Sequence, residues 1–415
     1  VTPPDSDYSN RPELDADGWT ILAPSTDSTI IYVSSSEGDD ANDGLSESTP
    51  VENVYEAYSR ITNQDQPAWV LLKAGDVWDF PLGRQAAIAT WKKSGRSADE
   101  PMVITSYGEG PRPKIVPHEK SSQSRGVALS DSPSHLYIVG LHFHNTWRDP
   151  GHPDFDLSKA QDAGGISYVG NGEDILIEDC IISHYKDNMS IQGGVDNVKI
   201  RRNIIVDAWA DGPHAQGLYL SNGSNHLIEE NFFDHNGWNE SIDGANRTIF
   251  NHNMYLQKNG NVGTVVRGNV SSRASSHGMQ FRSGGLVEDN LFVRNALAFY
   301  NRGNTRRNVV MESVDMSDNL PRGFGIEVRF ANAGTDPGAN GEPDVIEENV
   351  VLDVLGTLGR AGIKAGGTDW TTGISDPVVI RNNVVKNWND GIAIGGGTPP
   401  EAEITLSGNI VDGVR

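Results

Sequence analysis

One short pattern returns along this chain in a fixed internal order: alternating apolar residues, then an Asn, then two more apolar residues. It reads Ile175-Leu-Ile-Glu-Asp-Cys-Ile-Ile-Ser, Val198-Lys-Ile-Arg-Arg-Asn-Ile-Ile-Val and His226-Leu-Ile-Glu-Glu-Asn-Phe-Phe-Asp. The same frame continues as Thr264-Val-Val-Arg-Gly-Asn-Val, Gly285-Leu-Val-Glu-Asp-Asn-Leu-Phe-Val, Val345-Ile-Glu-Glu-Asn-Val-Val, Val378-Val-Ile-Arg-Asn-Asn-Val-Val and Ile404-Thr-Leu-Ser-Gly-Asn-Ile-Val. The anchors Cys180, Asn203, Asn231, Asn269, Asn290, Asn349, Asn383 and Asn409 follow one another after 23, 28, 38, 21, 59, 34 and 26 residues. Within each segment the apolar period is two, which makes strands and not helices. A constant register with variable spacing is what stacked coils give when they share strands and differ in loop length. The spacing of 59 is wide enough to hide one more coil.

A second strand lies between the anchors: Asn188-Met-Ser-Ile-Gln, Gly217-Leu-Tyr-Leu-Ser, Asn253-Met-Tyr-Leu-Gln, Gly278-Met-Gln-Phe-Arg, Gly325-Ile-Glu-Val-Arg, Gly362-Ile-Lys-Ala-Gly and Gly391-Ile-Ala-Ile. Alternation turns Met189, Leu218, Met254, Met279, Ile326, Ile363 and Ile392 inward. It turns Ser190, Tyr219, Tyr255, Gln280, Glu327 and Lys364 outward in one column, with Gln192, Ser221, Gln257, Arg282 and Arg329 in the next. The expected architecture is an all-β, right-handed parallel β-helix, a solenoid of three parallel sheets in which the Asn anchors stack at equivalent bends. Stacked amides hydrogen-bond from coil to coil and so remove the cost of burying them. Cys180 takes the anchor position in its own coil and reads as core filler.

Solenoid ends must be covered. Tyr32-Val-Ser leads through a turn-rich stretch into Val51-Glu-Asn-Val-Tyr-Glu-Ala-Tyr-Ser-Arg-Ile, which has apolar residues at helical spacing and predicts an N-terminal cap helix. The whole of 1–415 reads as one domain, with a strand, loop and cap helix over 1–70 and coils over 71–415. The acidic run Asp39, Asp40, Asp43 has the oxygen donors that calcium uses, but reads first as a solvated turn.

Composition narrows the function. The 33 Lys and Arg against 56 Asp and Glu give a net charge of −23, which argues against a nucleic-acid partner. No stretch approaches the run of ~20 apolar residues that a membrane span requires. A single Cys allows no internal disulfide and no thiolate metal site. The opening Val1-Thr-Pro-Pro-Asp-Ser has neither a basic nor an apolar leader region, and the expectation is a secreted or periplasmic monomer whose leader has been removed.

The opening Tyr32-Val-Ser, Gly38-Asp-Asp, Asn42-Asp-Gly, Pro50 and the amphipathic helix after it resemble the start of many secreted β-helix polysaccharide enzymes. The Ile-x-x-Asn-x-Phe/Ile coils resemble the pectate lyase, chondroitinase B and alginate lyase superfamily. Ala210-Asp-Gly-Pro-His also resembles the Asp-Pro-His loop of mannuronan C-5 epimerases, with Asp211 and His214 in its acid and His positions and Gly212 as an extra residue. These resemblances imply action on acidic, uronate-containing polysaccharides.

The middle coils gather the residues such chemistry needs. His252 and His277 both stand two residues before an inward Met, so they should stack on adjacent coils. His214, Tyr219, His252, His277 and Arg282 are the candidate catalytic residues; Lys186, Gln192, Asp211, Tyr255, Gln280 and Arg302 are the candidate substrate contacts. Uronate β-elimination and epimerisation both begin with removal of the C5 proton, which a placed His accelerates by ~10²–10⁴. Arg282 with Gln280 or Asn253 would neutralise the uronate carboxylate, and Tyr219 or Tyr255 would protonate the departing oxygen. This set of parts requires no metal. The rival is a glycoside hydrolase, for which Asp187, Asp211, Glu240 and Asp243 lie near the same coils and which needs two carboxyl groups ~5–9.5 Å apart. His135, His142, His226 and His235 read as turn or stacking residues. A non-catalytic adhesin would instead expose columns of Thr, Ser and Asn.

Overall fold

A computed structural model describes residues 10–61, 67–79, 87–117, 125–158, 164–257, 260–312, 323–328, 343–354, 361–366, 377–394 and 403–413. Among them the strands form three parallel sheets of 13, 11 and 12 strands, and chain neighbours in each sheet come from successive coils. The 13-stranded sheet runs from Thr29–Val33 to Ile404–Ser407 and carries the apolar-alternating half of each anchor segment. The 12-stranded sheet takes the apolar pair after each anchor, as in Ile181–Ser183, Ile204–Val206 and Phe232–Asp234. The 11-stranded sheet holds the second strands, with Met189, Leu218, Met254 and Met279 aligned in register and fully buried. The helix Val54–Arg60 buries Val54 and Ala57 into the same core, as a cap helix should. Arg329 of the second outward column lies outside the described residues.

The Asn anchors stack as the repeat demands. Each Oδ1 accepts both the backbone N–H and the side-chain amide of the anchor one coil earlier, from Asn203 on Asn231 at 3.0 Å to Asn383 on Asn409 at 3.0 and 2.9 Å. Each side-chain amide also reaches a strand carbonyl, as Asn231 reaches Ile200 at 2.9 Å, so these buried amides find the partners they need. The wide interval hides a coil as expected, anchored by Asn308 between Asn290 and Asn349. The residue before each anchor is left-handed, including Asp179, Arg202, Glu230, Asp289, Arg307, Glu348 and Asn382, with Gly268 and Gly408 in the same place. That conformation turns the chain from one sheet to the next, and costs a non-Gly residue roughly 1 kcal/mol.

Cys180 begins the ladder: its N–H donates to Asn203 Oδ1 at 2.9 Å, and its thiol, pushed up to about 12 by burial, approaches Glu178 O at 3.3 Å. Cys180→Ser is expected to lower the melting temperature by an amount worth about 1 kcal/mol while leaving turnover unchanged. Unchanged melting with lost activity would contradict that assignment.

On the outer face of the 13-stranded sheet one register column alternates in sign: Glu178, Arg201, Glu229, Arg267, Glu288, Arg306, Glu347, Arg381. Slipping one coil would set like charges side by side, so the column reinforces the stacking order. Its N-terminal end is covered by the chain around Gly18 and Thr20, where Arg201 bonds Glu178, Glu229 and Gly18 O. Burial alone would raise the Glu229 carboxyl, but Arg201 and Arg267 outweigh it and hold its pKa below the ordinary value. Such a depressed group stabilises the fold above the unfolded pKa and loses that contribution as pH falls through the folded one. Melting temperature should therefore fall as pH drops below about 4, and Glu229→Gln should flatten that limb. An identical acid limb in the variant would contradict this.

Candidate functional site

Three insertions leave the solenoid at the same bend on three of four successive coils, where the chain passes from the 12-stranded to the 11-stranded sheet. Phe155, Trp209, Ile242 and Ala245 from these insertions pack into a small apolar cluster of their own. Arg148 locks two of them together, stacking 3.9 Å over the Trp209 ring while Trp209 Nε1 donates to Arg148 O at 2.9 Å. The middle insertion carries Asp211 and His214, both exposed, with His214 in the left-handed region at φ 67°. A bridge of this kind lets loops hold side chains beside a rigid sheet.

Beside these loops the outward column of the 11-stranded sheet runs Ser190, Tyr219, Tyr255, Gln280, Tyr300, Glu327 in register. Tyr219 and Tyr255 meet edge to face at 5.5 Å, and Tyr255 meets His252 at 5.2 Å. His252 and His277 stack at 5.1 Å between ring centroids, as their shared register predicted. Arg282 Nη1 donates to Tyr255 Oη at 3.1 Å and lies 3.5 Å from Gln257 Oε1. Gln216 accepts the His252 backbone N–H at 2.9 Å and donates to Phe250 O, and the Phe250 ring packs on His214 at 5.9 Å. One continuous patch thus joins His214, His252, His277, Tyr219, Tyr255 and Arg282.

The patch has two layers. His252 and His277 are only 2% and 5% exposed, and Ser276 Oγ sits 2.8 Å from His252 Nδ1 and 3.4 Å from His277 Nδ1. Burial, then the neighbouring His277 and His214, push the His252 pKa well below the ordinary value, so its ring is neutral. Their depth makes His252 a support behind Tyr255 with His277 packed against it, while exposed His214 and half-buried Tyr219, Tyr255, Gln280 and Arg282 form the front. Lys186 is half-buried just before the strand Asp187–Gly193, and exposed Gln192 donates to Ser190 Oγ at 2.8 Å on that strand.

Two expectations give way to the geometry. Arg302 is 1% exposed and donates Nε to Tyr300 Oη at 2.7 Å, so it lies beneath the face and does not meet a ligand on it. Asn253 sits in a second buried amide column, donating to Ser272 O at 2.8 Å and Ser271 Oγ at 3.0 Å, and cannot turn out to a carboxylate. Tyr300 fills the column position that the sequence left blank. Of the hydrolase candidates, Asp187 accepts the Gln216 N–H at 3.0 Å, Glu240 pairs with His235 at 2.8 Å, and Asp211 and Asp243 are exposed.

The acidic run near the N-terminus spends its carboxylates on its own turn: Asp40 accepts from Glu52 and Asn53 N–H, and Asp43 from Leu45 N–H and Thr49 Oγ1. Among the described residues one group of three metal-type ligands converges, His144, Asp149 and His184. A cavity of about 540 Å³ lies away from the patch, between the N-terminal segment and the 13-stranded sheet. Of the acids that line it, Asp174 is already held by Lys199, Tyr137 and His135.

The family described as right handed beta helix region matches residues 134–313, the stretch that holds the patch. The chain is a right-handed parallel β-helix. The solved structure of pectate lyase Pel9A is similar at 16% identity and a TM-score of 0.50, over 93% of this β-helix and 79% of that chain. A mutant tailspike protein of E. coli bacteriophage HK620, in complex with a pentasaccharide, is similar at 12% identity and 0.52, over 88% and 64%. An alginate lyase from Paenibacillus sp. str. FPU-7 is similar at 12% identity and 0.45, over 87% and 97%. The β-helix polysaccharide lyases that the coils resemble are thus among its structural neighbours, and identities this low speak for fold alone. No curated protein sequence matches the chain. No described helix is long and apolar enough to cross a membrane.

Proposed function

We propose that this β-helix is a secreted lyase that cleaves an acidic, uronate-containing polysaccharide by β-elimination at the patch around Tyr255 and Arg282. The observation that carries this reading is the Arg282–Tyr255 pair, a guanidinium hydrogen-bonded to a half-buried phenol on the open face of an otherwise acidic molecule. The uronate carboxylate sits on the Arg282 fork with Gln280 alongside, which disperses the charge that builds up when C5 loses its proton. A preorganised donor of this kind is worth ~3–4 kcal/mol. His214, the exposed imidazole at the edge of the patch, takes the C5 proton. The C4–C5 double bond forms as the C4–O bond breaks, and Tyr255 or Tyr219 gives its phenolic proton to the departing oxygen. Neutral His252 holds the Tyr255 ring from behind without adding charge, with His277 packed against His252. Lys186, Gln192 and Asp211 extend the contact surface along neighbouring sugars. One neighbour, similar at a TM-score of 0.50, bears the name of a pectate lyase.

Digestion in ¹⁸O-labelled water separates this reading from its rivals. Elimination leaves no solvent oxygen in the new chain ends. Solvent oxygen at a new reducing end would mean hydrolysis and would move attention to Asp211 and Asp243. Unchanged chain length with solvent hydrogen at C5 would mean epimerisation.

A further inference from the structure

A second cluster lies on the outer side of the same bend, at the end of the 12-stranded sheet. The strands His142–His144 and Ile181–Ser183 pair with His144 opposite Ser183, which puts His184 in the next position, turned outward by a left-handed backbone. The first insertion returns Asp149 to this point, just after the short 3₁₀ turn Thr146–Arg148. Asp149 Oδ2 lies 3.2 Å from His144 Nε2 and Asp149 Oδ1 lies 3.7 Å from His184 Nε2, with all three ligand atoms within 4.8 Å of one another.

His184 is the group that hydrogen bonding fails to explain. Its side chain is 13% exposed, its Nδ1 is buried with no hydrogen-bond partner, and its Nε2 reaches the Asp149 and Asp207 carboxylates only at 3.7 and 3.8 Å. The Nε2 turned towards Asp149 and Asp207 is too far from either carboxylate for a hydrogen bond, at a spacing that a shared ion would bridge. Its neighbour His144 is prepared as metal ligands are: Nδ1 lies 2.8 Å from Ser183 Oγ, which fixes the ring and leaves Nε2 aimed at the cluster. Bonds of ~2.0–2.2 Å in a tetrahedral site set ligand atoms roughly 3.3–3.5 Å apart, and the separations measured here already bracket that value.

We infer that His144, Asp149 and His184 form a binding site for one divalent transition cation of the zinc class. Two imidazoles and one carboxylate suit such an ion better than calcium or magnesium, which prefer all-oxygen shells. The cation fastens the first insertion to the stacked coils, and through Phe155 against Trp209 and Ile242 it steadies the insertion that carries His214. The site stands on its own residues and does not depend on the lyase reading.

Isothermal titration of the chelator-treated full chain with zinc chloride tests it, with calcium chloride run in parallel. The expected result is one equivalent of zinc bound, no comparable calcium binding, and a zinc-dependent rise in melting temperature. Asp149→Asn and His184→Gln are each expected to weaken zinc binding at least 100-fold, and His214→Gln to leave it unchanged. Melting of each variant without metal, matched to wild type without metal, shows that the fold is intact; Asp149→Ala and His184→Ala replace any variant that fails this check. No zinc binding by the wild-type chain overturns the inference, as does unchanged affinity in folded Asp149 and His184 variants or equal affinity for calcium.

Discussion

Replacing Arg282 by Ala is expected to lower kcat on the true substrate by about 100-fold or more, because one donor aimed at developing charge is worth that much. Arg282 lies half-buried on the outside of the sheet, and its neighbours keep partners without it, since Tyr255 Oη still lies 3.3 Å from Gln257 Oε1. The melting temperature should therefore hold while turnover falls. Arg282→Lys keeps the charge but loses the planar fork, so its activity should lie between the two. Steady-state kinetics on the cleaved polysaccharide decide the matter. Near-normal turnover by Arg282→Ala would remove this residue from the chemistry, and the proposed carboxylate contact with it.

The largest expected loss of stability is at Arg201. Its side chain is 0% exposed between the Glu178 and Glu229 carboxylates, themselves 2% and 1% exposed. Arg201→Met fills much of the same volume but strands negative charge in the sheet face, at a cost of about 3–5 kcal/mol. Glu229 keeps Arg267 as a partner and Glu178 keeps Thr20, so the loss falls at the lower end of what full isolation would bring. In a chain of this size a melting temperature lower by about 4 °C follows. The test is thermal melting at neutral pH. A drop of only a degree or two would mean that the charge column contributes little. The triple replacement of Glu178, Arg201 and Glu229 by apolar residues should recover most of the loss.

Much of this molecule is legible in its sequence because a solenoid writes its contacts locally. The Asn anchors, the inward Met and Leu column and the pairing of His252 with His277 all follow from one register repeated coil after coil. The coil around Asn308 escaped because its strand Thr305–Arg306 is two residues long and has no apolar alternation to reveal it. Tyr300 escaped with it. The depth of Arg302 was hidden for a related reason: the chain has just left the strand Leu297–Asn301, where alternation no longer tells which way a side chain turns. The alternating Glu and Arg column was present in the segments all along, but its sign pattern carries meaning only once the strands are stacked. His144, Asp149 and His184 come from a strand end, an insertion and a left-handed bend, and no spacing rule links three such places.

The account's central claim is tested most directly by offering the purified protein alginate, pectate, glycosaminoglycans and ulvan and following absorbance near the ultraviolet edge. Elimination predicts that at least one of these polyuronates yields a rising band from the new double bond, conjugated with the uronate carboxylate, and that Arg282→Ala suppresses it. New reducing ends without that band on the substrate that is cleaved would contradict the claim.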